Sequence, residues 1–228
     1  MQSSEQSAAP DPEQVAHARP AVERWLTLTG LVPLPVFLVL HLGRELALAR
    51  ATDVSQLLRA PPSTFASLTA LLLVWLPLGV HVLLGGWLLV LGRATLRPAG
   101  GDVARPALGL SRLTSALSLA FLLYHAREYP LAVWLGEADA RDAGFRLVAR
   151  LSATSWGVPL RAAFYLLGLA ATVAHVGLAL HRALLREGLL HGAARRRLSA
   201  RLCAALSVSG FAVGAAAVIR VASGAFFR

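Results

Sequence analysis

The sequence predicts an all-α protein, an integral membrane bundle of five transmembrane helices, on three observations. First, 56% of its 228 residues are hydrophobic and 15% are charged, with a mean hydropathy of +0.61. Soluble domains run to about 45–50% apolar and about 25% charged, so neither a soluble globule nor a disordered chain, which needs low hydrophobicity, fits this composition. Second, the apolar residues are gathered into long runs. About 20 such residues, each rising about 1.5 Å, cross a hydrocarbon core about 30 Å thick. Third, all 22 basic residues are Arg, and they cluster between the runs, as expected where loops meet anionic lipid. The net charge of +10 is therefore read as a membrane signal. Nucleic acid is not an expected partner, because no soluble basic domain is present to bind it.

Residues 1–24 form a polar tail rich in Ala, Ser, Gln and Pro, without the apolar core of a secretory signal. Residues 25–228 form the membrane domain. Its runs are Trp25–Ala49, Phe65–Leu91, Leu108–Leu135, Val158–Leu185 and Leu202–Phe227. Pro61-Pro62, Pro98-Ala-Gly-Gly and Gly188–Arg197 punctuate three of the connections, and none is long enough for a separate soluble domain. A cytoplasmic N-terminus places 12 arginines inside and 10 outside, with the cluster Arg195-Arg196-Arg197 and Arg201 on the inner side. That balance favours N-in. The single cysteine, Cys203, excludes an internal disulfide, a cysteine zinc site, an iron–sulfur cluster held by this chain and covalent haem attachment.

Seven histidines are present. His17 in the tail, His191 in a basic loop and His181 at the end of the fourth run read as solvent-facing or interfacial, with His181 close enough to touch a cofactor edge. His41, His81, His125 and His175 each lie inside one of the first four runs. Ionisable groups at membrane depth are costly and mark function. Each lies past the midpoint of its run, and successive helices alternate in direction. His41 and His125 therefore fall at one depth, toward the outer side, and His81 and His175 at another, toward the inner side. From Trp25 to His41, and from Phe65 to His81, the rise is roughly 24 Å, starting from opposite surfaces, which puts the two levels on the order of 10–15 Å apart. Two imidazoles at one level, on different helices, suit the axial positions of a haem iron. Zinc, which draws four ligands to one point, fits two levels poorly. The expectation is two b-type haems with His41, His125, His81 and His175 as axial ligands, six-coordinate and suited to electron transfer.

Other residues fit that picture. Gly30, Gly79, Gly85, Gly86, Gly168 and Gly177 on the ligand helices would let a flat macrocycle approach the backbone, or serve close helix packing. Haem propionates need cationic or hydroxyl partners. Ser111 and Arg112, with Thr114 and Ser115, lie at the inner start of the third run and suit the inner haem. Arg44 and Arg127 lie just beyond His41 and His125 and suit the outer haem or a quinone; snorkelling to lipid headgroups is the alternative for each.

With these residues in place, the sequence resembles the single-subunit, two-haem cytochrome b anchor of succinate dehydrogenase and fumarate reductase. The resemblance covers nearly the whole chain after the tail. It rests on one His in each of the first four of five helices and on local strings: Thr29-Gly30 ahead of His41, Ser111-Arg112-Leu113-Thr114 ending eleven residues before His125, Phe164-Tyr165-Leu166-Leu167-Gly168, and Ala174-His175-Val176-Gly177. Ser115 stands where the family usually has Gly, and Val176-Gly177-Leu178 where it has Asn-Gly. The family pairing, first helix with third and second with fourth, agrees with the depth reading. The resemblance implies an FAD flavoprotein and an iron–sulfur protein docked on the cytoplasmic face of a bacterial inner membrane. This chain would anchor them and pass electrons through its haems to or from a quinone (menaquinone or ubiquinone), with no dicarboxylate active site of its own. Arg44, Glu45, Asp53, Arg127 and Glu128 form an outer polar rim near the ends of the first three helices, where quinone carbonyls would find proton donors and acceptors.

The alternative is the dihaem cytochrome b anchor of another respiratory dehydrogenase or reductase. Such anchors commonly place two ligands on one helix a dozen or more residues apart, whereas here the only close pair, His175 and His181, is six apart. A non-haem transporter or scaffold is a third reading, and it would show no reduced-haem absorption.

Overall fold

The computed structural model describes residues 22, 24–50, 63–90 and 105–223; most of the tail, Asp53, the connection holding Arg93 and Arg97, and the last five residues lie outside them. Among the described residues the chain is almost wholly helical and contains no strand. In chain order the helices are α1 (Pro33–Ala49), α2 (Thr64–Ala70), α3 (Leu76–Val90), α4 (Arg105–Glu128), α5 (Pro130–Trp134), α6 (Ala143–Ser152), α7 (Leu160–Arg186) and α8 (Gly192–Ala222).

Among the described residues, four helical segments are long and apolar enough to cross a membrane: Arg24–Ala47, Ser67–Trp87, Leu160–Arg186 and Gly192–Ala222. Their outer faces carry exposed large apolar side chains such as Val39, Leu40, Leu83, Leu206 and Val208, as a lipid-facing surface requires. Helix α4 is continuous over 24 residues but is not in that set; Arg112 and serine and threonine hydroxyls interrupt its apolar residues, and Arg105, Arg127 and Glu128 stand at its ends. Ser111, Thr114 and Ser118 line one face of α4 and are buried. Ser118 Oγ lies 3.1 Å from Thr172 Oγ1 of α7, so that polar face turns into the protein.

Prolines explain the irregularities. Pro33 has no N–H to donate, and the chain makes a turn at Val32 before α1 begins. Pro77 in the first turn of α3 follows a π-helical stretch, Leu71–Trp75, that joins α2 to α3; there the Leu76 N–H reaches back to Leu71 O. Tyr129, with φ −119° and ψ −80°, precedes Pro130 and ends α4. The third run, expected to continue to Leu135, therefore stops at Glu128 and turns into the short α5. Helix α8 begins at Gly192, ten residues ahead of the apolar run, and carries the Arg195–Arg197 cluster on its first turns.

Helix α7 is the centre of the bundle and packs between α4 and α8, while α1 packs on α8. Two glycines set the spacing. At Gly168 a Cβ would run into the Phe121 ring of α4, and at Gly177 into Ser207 of α8. Ser207 Oγ donates to Val173 O across the α7–α8 interface at 2.9 Å. The tightest packing lies at one end, where Val148 and Leu151 of α6, fully buried, meet Tyr165, Ala217 and Val221. The α2–α3 segment is held chiefly against α1, which leaves space between α1, α3, α4 and α7.

Candidate functional site

That space is a cavity of about 540 Å³, lined almost entirely by apolar side chains. Phe37, Leu38 and Leu42 of α1, Trp75, Leu78 and Gly79 of the second segment, Leu122 of α4 and Leu169 of α7 form its walls. The imidazoles of His41 and His125 stand in it, with centroids 5.7 Å apart and planes at 65°. Neither His81 nor His175 lines this cavity. Those two form a second pair, with centroids 6.4 Å apart and planes at 68°.

The two pairs stand at different depths. His81 lies against Leu26 and Gly30, near the start of the first segment. His41 is eleven residues beyond Gly30, a rise of about 16 Å. The rings that face each other are those placed at one depth by the rise along the helices.

Each imidazole has its own surroundings. His81 donates from Nδ1 to Leu26 O at 2.8 Å. His41 Nδ1 lies 3.8 Å from Glu45 Oε1, one turn along the same helix. His125 Nδ1 lies 3.2 Å from Tyr165 Oη. His175 Nδ1 is buried with no hydrogen-bond partner among the described residues. Rings of Phe37 and Phe121 stack on His41 and His125 at 5.2 and 5.7 Å. Where Nδ1 is the donor, as in His81, Nε2 keeps its lone pair for a ligand bond.

The other expected site residues are more dispersed. Ser111 and Thr114 are buried, and Thr114 Oγ1 donates to its own helix, to Leu110 O at 2.9 Å and Ser111 O at 3.1 Å. Arg112 is exposed, as is Arg44. Arg127 is held by Glu137 in a bidentate pair of 2.7 and 3.1 Å at the surface, so its fork is already matched. Glu45 lines the cavity. Glu128 does not join an open rim. It is buried and accepts from Tyr165 Oη at 2.9 Å, Tyr124 Oη at 2.8 Å and Arg150 Nη1 at 2.7 Å, with Arg161 Nη1 at 3.4 Å. His181 Nδ1 lies 3.0 Å from Ser199 Oγ and ties α7 to α8. Of the glycines, Gly79 borders the cavity, Gly30 takes the His81 ring, and Gly168 and Gly177 serve helix packing.

Sequence reasoning passed over Tyr165, Arg150 and Arg161. The signal for the first contact was Glu128 itself, three residues past His125 and so on the same helix face.

Among the described residues no three His, Cys, Asp or Glu side chains converge as a metal cage would require. The residues that do converge are two facing imidazole pairs, one of them in an apolar cavity of a size that small molecules and cofactors occupy, about 300–1,000 Å³. Fold and site together define an α-helical membrane protein with paired histidines at two depths. Compared with protein-family models, with curated proteins and with solved structures, the chain matches none.

Proposed function

We propose that this chain is a dihaem cytochrome b and the membrane anchor of a succinate:quinone oxidoreductase, passing electrons between an iron–sulfur subunit and membrane quinone. The observation that carries the reading is the meeting of four helix-borne histidines as two facing pairs, His41 with His125 and His81 with His175. With centroids 5.7 and 6.4 Å apart, each pair of facing imidazoles leaves room for a metal between its rings, and these four residues would hold the haem irons. The fit extends to the surroundings. The cavity beside the first pair is flat-walled by Phe37, Phe121 and Leu169 and opens onto the bare Cα of Gly79. In the second pair the His81 Nδ1 proton is already engaged, which leaves Nε2 for iron.

In this reading α4 is the fifth span. Its lower hydropathy comes from Ser111, Thr114 and Ser118, which face inward, from Arg112 two turns along the helix, and from the charges at its two ends. Haem supplies one-electron chemistry when bound. His41, His125, His81 and His175 would hold its iron, and apolar side chains line the cavity around the first pair. The two depths, about 16 Å apart along the first segment, divide the membrane crossing into two short steps. The cationic start of α8, with Arg195, Arg196 and Arg197 all exposed, suits a docked partner on the inner side and an N-in arrangement.

A pyridine haemochrome assay on the purified protein tests this: about two non-covalent haems per chain are expected, and a value near zero overturns the reading. Affinity purification is expected to recover a flavoprotein and an iron–sulfur protein with succinate-to-quinone activity. Recovery of a molybdenum enzyme would move the chain to another respiratory complex.

A further inference from the structure

We propose that Tyr165 and Glu128 are positioning residues for His125, joined to it in a directed hydrogen-bond chain that fixes its tautomer and raises its electron donation. The inference rests on the dihaem reading and deepens it at one of the two sites.

The direction of the chain follows from the donors available. Four groups point hydrogens at the Glu128 carboxylate: Tyr165 Oη, Tyr124 Oη, Arg150 and Arg161. A carboxylate has only lone pairs to offer. The one hydroxyl proton of Tyr165 is therefore committed to Glu128 Oε2, at 2.9 Å. The contact at 3.2 Å between Tyr165 Oη and His125 Nδ1 then has a single polarity, with Nδ1–H donating and the phenol oxygen accepting. His125 is held as the Nδ1–H tautomer, with Nε2 free to ligate. Because the phenol oxygen is itself polarised by a carboxylate, it accepts more strongly than a neutral hydroxyl, and the imidazole becomes a stronger electron donor at Nε2.

No such chain serves the other pair. His81 donates to a backbone carbonyl, and His175 Nδ1 has no partner among the described residues. The chain is also long-range: Tyr165 lies on α7 and Glu128 at the end of α4, in a packed corner where both are buried. The phenyl body of Tyr165 belongs to the core around Val148 and Leu151, so the geometry of the hydroxyl is set by packing.

Stronger donation at an axial nitrogen stabilises the oxidised iron. Weakening the chain should therefore raise the midpoint potential of one haem only. The test uses the full-length protein in detergent and measures both haem potentials, the low-spin haem resonance spectrum and the haem content of wild type, Tyr165→Phe, Glu128→Gln and the double variant. Tyr165→Phe is expected to keep two haems per chain, raise one potential and shift the resonance of that haem alone. Glu128→Gln, which leaves a neutral acceptor for the phenol, is expected to give a smaller rise in the same haem. The double variant is expected to add nothing to Tyr165→Phe, because Glu128 acts through the phenol. Unchanged potentials, equal shifts in both haems, or additive shifts overturn the proposal. Loss of a haem in Tyr165→Phe without a shift in Glu128→Gln also overturns it, since that marks a packing role only. A wild-type protein without haem overturns the dihaem reading and the proposal with it.

Discussion

The imidazole of His81 rests against the bare Cα of Gly30, one helix away, while its Nδ1–H donates to Leu26 O at 2.8 Å. A methyl group at residue 30 would overlap the ring. Gly30→Ala must therefore displace the histidine, the first segment or both. Overpacking of this kind costs about 1–3 kcal/mol, and here it also breaks the contact that orients the ring. On the dihaem reading, Gly30→Ala is expected to lose one haem of two. Gly86→Ala, where no atom lies within 4 Å of the added carbon, is expected to keep both. Haem quantification on the two purified variants checks this.

Pairing gives a second expectation. The rings of His41 and His125 face each other, as do those of His81 and His175. On the dihaem reading, His81→Ala and His175→Ala are expected to lose the same haem, by optical spectrum and potential, and His41→Ala and His125→Ala the other. Loss of different haems from His81→Ala and His175→Ala would rule out the pairing.

Two neighbouring residues at the end of α4 should behave in opposite ways. Arg127 pairs with Glu137 where the side chains are 55% and 46% exposed, and exposed pairs contribute about 0–1 kcal/mol. Arg127→Ala is expected to leave thermal stability in detergent nearly unchanged. Glu128, 9% exposed, takes hydrogen bonds from two tyrosines and from Arg150. Its removal strands the Tyr165 hydroxyl, and a buried donor without a partner costs about 1–3 kcal/mol. Glu128→Ala is expected to lower the melting temperature clearly, whereas Glu128→Gln, which still accepts from Tyr165, should do so less. Equal melting temperatures for Arg127→Ala and Glu128→Ala would refute this account of the corner.

Four of the long helices and the shared depth of each histidine pair were legible because they depend on run length and rise per residue. The Tyr165–Glu128 chain was not, because no period or rise along the helices marks it. Their meeting depends on how the chain returns after Tyr129 and Pro130. The same return brings Arg150 to Glu128 and Glu137 to Arg127, so a charge read from its spacing to His125 as a propionate or quinone partner turns out to be matched within the protein. The π-helical stretch at Leu71–Trp75 had a visible cause in Pro77, but periodicity in a uniformly apolar run carries no mark of it. Helix α6 was hidden for the opposite reason: its ten residues include Arg146 and Arg150 and are too few to resemble a span.

That short helix carries the most deeply buried side chains described, Val148 at 0% and Leu151 at 2% exposure. Leu151 packs into the cluster with Tyr165, Ala217 and Val221 and also lines the cavity beside His41 and His125. Truncating a buried leucine removes its transfer energy and leaves a void, at about 2–5 kcal/mol. Leu206 on α8 is 63% exposed and touches lipid in the membrane reading, so little is lost when it is shortened; surface substitutions of that kind fall within about 0.5 kcal/mol of neutral. Leu151→Ala is thus expected to lower the melting temperature in detergent well below that of Leu206→Ala. It should also loosen the wall behind Tyr165, so on the dihaem reading the haem that His41 and His125 would hold should be the first released on heating, followed by its absorption. If Leu151→Ala and Leu206→Ala melt together, α6 is a surface ornament and not the clasp that closes this end of the bundle.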